Sequence, residues 1–176
     1  MKRLIILSLG CILVGGILAI LPILGQENFA MLFYALGNAL IILTNFIWIM
    51  ASNKLASAAL NKRPSLIVTF LSIIAPIAAF VSFGLLSSIM FLPDGASTGL
   101  FSSSVLEGLM TVSVLIIFVA LITSSILVSG RIIDTEDSPK AGRGSRIFVL
   151  CICFFYILIG MFFIAPKLKK LKNSAL

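Results

Sequence analysis

Apolar residues along this chain follow neither a two-residue nor a 3.6-residue period. They run on in five blocks, residues 4–24, 29–51, 65–92, 104–129 and 147–165, parted by short polar segments. Each block holds about 20 residues or more, and a helix rising 1.5 Å per residue then crosses a hydrocarbon layer about 30 Å thick. Backbone amides surrounded by lipid have to be satisfied within the segment, which blocks of this length achieve as helices. The pattern predicts an all-α fold, a polytopic transmembrane helical bundle of about five spans, in one integral membrane domain covering residues 1–176.

The breaks carry their own signals. Gly25, Gln26, Glu27 and Asn28 alone part the first two blocks, which predicts a tight antiparallel hairpin with Asn28 capping the second helix. Lys2 and Arg3 precede the first block as they would a secretory leader, but its length and the lack of a following A-x-A site read as a retained anchor. Pro64 opens the third block, where its missing N–H is harmless. That block is longer than one crossing requires. Pro76 within it takes the hydrogen bond away from the Ser72 carbonyl and predicts a kink at mid-depth. Pro93, Asp94 and Gly95 break this helix, Gly130 ends the fourth with Arg131 suited to its negative end, and Pro166 closes the fifth.

Composition excludes several function classes. The chain is 60% apolar and 11% charged, with a mean hydropathy of +1.22, whereas soluble domains carry about 25% charged residues. The longest polar stretch, residues 130–146, is too short for a soluble core. The net charge of +7 comes from cations at the ends of the apolar blocks, where they meet lipid phosphates. The loops are too small to build a base-reading surface, so nucleic acid is not an expected partner. Histidine is missing altogether, and with it the commonest haem and metal ligand and the side chain that titrates near neutrality. Cys11, Cys151 and Cys153 lie inside apolar blocks and read as small buried hydrophobes. On a helix, the C-x-C of Cys151 and Cys153 directs the two thiols about 200° apart. No cofactor and no metal are expected.

Charge also bears on orientation. With the amino terminus cytoplasmic, Lys2 and Arg3, then Lys54, Lys62 and Arg63, then Arg131, Lys140, Arg143 and Arg146 fall inside, and the segments around Gln26 and Asp94 carry no cation. Five crossings leave Lys167, Lys169, Lys170 and Lys172 outside. Four full crossings with a re-entrant third block bring that tail inside but send residues 131–146 out. Each segment holds four cations, so the count is tied, and the length of the third block favours five crossings. A bacterial inner membrane suits this arrangement.

Few residues offer chemistry. Glu107 is the acid nearest the hydrocarbon and a candidate for ion or substrate contact. Ser104 to Glu107 also spell S-x-x-E, a capping box at a helix start. Tyr34, Asn38 and Asn45 share one helical stripe that has to face protein or water, with Trp48 nearby. They serve either as interhelical contacts or as a polar path opposite Pro76 and the Ser72 carbonyl. Small-x-x-x-small pairs, Gly15 with Ala19, Ala35 with Ala39, Ala75 with Ala79 and Ser125 with Ser129, predict close helix contacts. In the tail, Lys167, Lys169, Lys170 and Lys172 interleave with Leu168 and Leu171 as an interfacial lipid anchor, or as a docking peptide.

No acidic, histidine or Gly-rich motif of a multispan enzyme is present. The chain therefore reads as a small non-enzymatic integral membrane protein, an accessory or assembly subunit or an immunity-like binder. Its expected partners are membrane lipids and other integral membrane subunits. The alternative is a small transporter or channel component with a polar path lined by the second and third helices.

Overall fold

The computed structural model describes residues 2–21, 30–91, 103–136 and 142–174. Among them lie six helices: α1 (Lys2–Ile20), α2 (Ala30–Ala59), α3 (Leu66–Phe91), α4 (Ser103–Asp134), α5 (Arg143–Phe155) and α6 (Ile157–Ser174). The four helices α1 to α4 are each long and apolar enough to cross a membrane, and α5 with α6 form a fifth candidate, bent by 117°. The fold is an all-α bundle of candidate membrane spans. The cap expected at Asn28, the break at residues 93–95 and Lys140 lie outside the described residues.

The central helix is α2, packed against α1, α3, α4, α5 and α6. Phe46, Trp48 and Ile49 on α2 are fully buried against Val68 and Ala75 of α3, Ala120 and Val128 of α4, and Met161, Ile164 and Leu168 of α6. Close approach of α1 to α2 rests on glycine. A methyl group on Gly15 would stand 2.7 Å from the Gly37 carbonyl, and one on Gly37 would run into the Gly15 carbonyl and the Ala19 backbone. The expected Gly15 and Ala19 pair does mark a contact, with Gly37 as its counterpart. Ala35, Ala75, Ala79, Ser125 and Ser129 are likewise buried.

Helix α2 continues two turns beyond the expected end at residue 51. Ala56 is buried there, and so are Ser52, Asn53 and Ser57 in spite of their polarity. It ends in a Schellman motif: Lys62 N donates to the Ser57 carbonyl at 2.8 Å and Asn61 N to the Ala58 carbonyl at 3.0 Å. Asn61, at φ 51°, takes the left-handed position that this motif requires. Pro64 then precedes α3 instead of opening it. Ser65 is the cap, its Oγ accepting from Val68 N at 3.4 Å. The helix α3 runs unbroken across Pro76 to Phe91.

Two expected stops do not stop. Gly130 lies inside α4, which carries on because Val128, Ile132 and Ile133 extend one buried stripe. Pro166 lies inside α6, where Met161, Ile164, Leu168 and Leu171 form a stripe at helical spacing on both sides of it. Packing on that face outweighs the one hydrogen bond the proline removes. The leucines of the tail therefore enter the protein core and not the lipid.

The sharp turn sits at α5–α6, so the fifth block, and not the third, turns back. Tyr156 ends α5 with φ −102° and ψ 60°, and Gly160 follows with its N donating to the Tyr156 carbonyl at 2.7 Å. Gly160 lies directly against the Cys153 backbone, where any Cβ would collide with the Cys153 carbonyl. The consequence is topological: α6 returns toward the start of α5. The third block, weighed from the sequence as a re-entrant alternative, is one continuous helix, and the bent segment is instead built by α5 and α6, which leaves four candidate spans, or five if the bent pair counts as one.

Candidate functional site

Two polar regions stand out, one at an end of the bundle and one within it. At the end, the Asn53 amide ties α2 to the start of α3: Nδ2 donates to the Ser65 carbonyl and Oδ1 accepts from Ser65 N, both at 3.2 Å. Arg131 reaches in from α4. Its Nη1 donates to Asn53 Oδ1 at 3.1 Å, to Ser57 Oγ, and to the Arg63 carbonyl at 3.2 Å. Arg131 thus satisfies groups left open at the α2–α3 corner, where the sequence suggested only a cation at the end of its own helix. Charge-assisted bonds of this kind are about twice as strong as neutral ones.

Beside this clamp, Asp134 pairs with Arg143 at 2.7 Å, and Glu136 pairs with both Arg146 and Lys167. Glu136 lies two residues past the end of α4, Arg146 in the first turn of α5 and Lys167 past the middle of α6, so one carboxylate holds the exit of α4 to both other helices. These contacts fix where the cations lie. The start of α1, the α2–α3 corner, the end of α4, the start of α5 and the tail half of α6 gather at one end, which carries every described lysine and arginine. Lys167 is an ion-pair partner and not a free lipid anchor. Lys169 and Lys172 are exposed, beside the buried Leu168 and Leu171.

Trp48 makes a further tie that the sequence did not reveal. Its Nε1 donates to Ser8 Oγ at 2.7 Å, and that hydroxyl donates to the Leu4 carbonyl at 2.8 Å, joining α1 to α2 with both side chains fully buried.

The second region is a cavity of about 330 Å³ between α2, α3 and α4, lined by Ile42, Asn45, Ser82, Phe83, Val114, Ile117, Phe118, Leu121 and Phe155. Asn45 lies eight residues from Asn53, hence about 12 Å along α2 from the charged end. Ser82 and Val114 lie seventeen residues from Ser65 and Arg131 respectively, about 25 Å along their helices. The cavity therefore reaches from mid-depth toward the far end. Asn45 Oδ1 is buried and has no hydrogen-bond partner among the described residues. The hydroxyls of Ser52, Ser72, Ser124 and Ser125 are also buried without a partner among the described residues.

The six residues expected to share a path do not come together. Asn38 Nδ2 donates to the Tyr34 carbonyl at 2.9 Å, a bond within its own helix, and the Tyr34 ring meets Phe83 edge-on at 6.2 Å between centroids. Ser72 is buried elsewhere, Pro76 does not line the cavity, and Glu107 is exposed near the far end of α4. The helix α4 begins at Ser103, so Ser104 stands in its first turn and not before it. Of the six, Asn45 alone faces the cavity. Ser82, Phe83 and Phe155 were not singled out from the sequence, because nothing marks one serine or phenylalanine among the many in apolar blocks. Cys151 Sγ donates weakly to Ser129 Oγ at 3.7 Å, and the three cysteines are free. Comparison with protein families, with curated proteins and with solved structures finds no match for this chain.

Proposed function

We propose that this chain is a non-enzymatic accessory or assembly subunit of a larger membrane complex, set in a bacterial inner membrane with its amino terminus and its tail both cytoplasmic. The observation that carries this reading is how the charged groups are used. Arg131, Asp134, Glu136, Arg143, Arg146 and Lys167 all tie one helix to another. Apolar helix faces are then the main surface offered outward, among them the face of α1 that carries Ile6, Leu13, Ile17 and Ile20. Gathering the cations at one end supports a cytoplasmic setting for that end.

Mild solubilisation from the native membrane followed by mass spectrometry tests the reading. A partner subunit recovered in fixed stoichiometry is the expected result, and a lone monomer that moves solute across reconstituted vesicles overturns it. The second reading, a transporter or channel component, draws support from the unpartnered amide of Asn45 in its cavity. The accessory reading is preferred because the Asn53–Arg131 clamp closes α2, α3 and α4 together on the charged side of that cavity.

A further inference from the structure

Beyond the accessory role, and independent of it, we infer that the cavity between α2, α3 and α4 is a binding site for a membrane-dissolved alcohol with an apolar body. The shape and lining set the class of ligand. The cavity's size, about 330 Å³, falls at the lower end of small-molecule sites, and its walls are apolar apart from Asn45 and Ser82. Asn45 and Ser82 offer partners for one water molecule at most, each of which wants two to four, so the rest of the volume suits an apolar body.

One group asks for a ligand. Asn45 Oδ1 is removed from water at mid-depth, and an amide left unpaired there carries a desolvation cost of about 1–3 kcal/mol. A hydroxyl answers it in either amide orientation, donating to Oδ1 or, with the amide turned over, accepting from Nδ2. A carboxylate or an amine would bring charge to a site with no described counter-charge, and an alkane would leave the amide unpaired.

The entry route agrees with this class. Val114 and Phe118 line the cavity from α4 and are 37% and 53% exposed, which suits lateral entry between them from the bilayer. The hydroxyl enters toward Asn45 and the chain trails out past Val114 and Phe118 into the acyl region.

The test uses the full-length protein in lipid nanodiscs and a dodecanol bearing a diazirine near its hydroxyl. After photolysis, peptide mapping is expected to find label on the cavity walls, around Asn45, Ile117 and Leu121. Excess dodecanol should displace it and excess dodecane should not. Asn45→Leu should lower the labelling roughly three- to tenfold, the value of one hydrogen bond. Val114→Trp, which fills the mouth and leaves the amide in place, should lower it as well and guards against misfolding of the first variant. Label spread evenly over outward positions such as Leu66 and Phe162, equal displacement by dodecane, or indifference to both substitutions overturns the assignment. Loss of the site would leave the accessory reading standing, since that reading depends on a partner subunit and not on the cavity.

Discussion

Replacing Asn53 by leucine keeps the volume of a buried side chain and deletes three hydrogen bonds at once. Two of them join the amide to Ser65 N and O at the start of α3, and the third accepts from Arg131. Neutral hydrogen bonds contribute about 0.5–1.5 kcal/mol net and those to charged groups about 1.5–3 kcal/mol, so the gross loss is about 2.5–6 kcal/mol. Leucine recovers part of this through apolar burial, and Arg131 keeps Ser57 and the Arg63 carbonyl. A net destabilisation of about 2–4 kcal/mol is expected. That exceeds the average of about 0.6 kcal/mol for a polar side chain between membrane helices, because this one binds a charged partner and caps a helix. Trp48, the single tryptophan, is buried five residues away on α2 and reports unfolding by its fluorescence as dodecyl sulfate is added to mixed micelles. The double-mutant cycle with Arg131→Gln should return a coupling of about 1 kcal/mol or more. A destabilisation under about 1 kcal/mol, or strict additivity in the cycle, would falsify the view that this corner is locked by one shared amide.

Two further substitutions probe the close backbone contacts. Gly160→Val puts a branched side chain against the Cys153 carbonyl at the α5–α6 turn. The turn should open, and trypsin should then cut at Lys169 and Lys172 several times faster than in the unaltered protein; an unchanged rate refutes the role given to Gly160. Gly37→Leu drives α1 away from α2 at its tightest crossing, so Trp48 should lose its Ser8 partner and its emission should shift to the red. An unshifted spectrum in a folded variant would count against that crossing.

The membrane class and the positions of the helices were legible because each apolar block exceeds the length that a soluble core helix needs. Their ends were less so. Residues 52–59, Gly130 and Pro166 each carry a local stop signal, yet each lies within a helix because a distant partner outweighs that signal: Arg131 for the end of α2, and the buried stripes for α4 and α6. The polar stripe of Tyr34, Asn38 and Asn45 was visible as a stripe. That Asn38 turns back on its own helix while Asn45 is left over depends on side-chain geometry that spacing does not encode.

Glycine shows the same limit most sharply. Gly10, Gly16, Gly108 and Gly130 would each accept a methyl group with no neighbour within 4 Å, whereas Gly15, Gly37 and Gly160 each touch backbone. Gly15 was marked by its spacing from Ala19, but nothing in the residues flanking Gly37 and Gly160 sets them apart from the open glycines, so the glycine that turns α6 back could not be picked out. The cations, however, held an indirect trace of it. Five straight crossings strand the four tail lysines on the side away from the other basic segments, and a re-entrant third block strands residues 131–146 instead. A turn in the fifth block strands neither. It is the arrangement that leaves every described cation at one end of the bundle, and it brings Lys167 within reach of Glu136, which already holds Arg146. The charge pattern and the Gly160 turn are thus two expressions of one constraint. A tail carrying four lysines stays with the other basic segments, and α6 can return it there because a residue without a side chain lets two helices meet at their backbones.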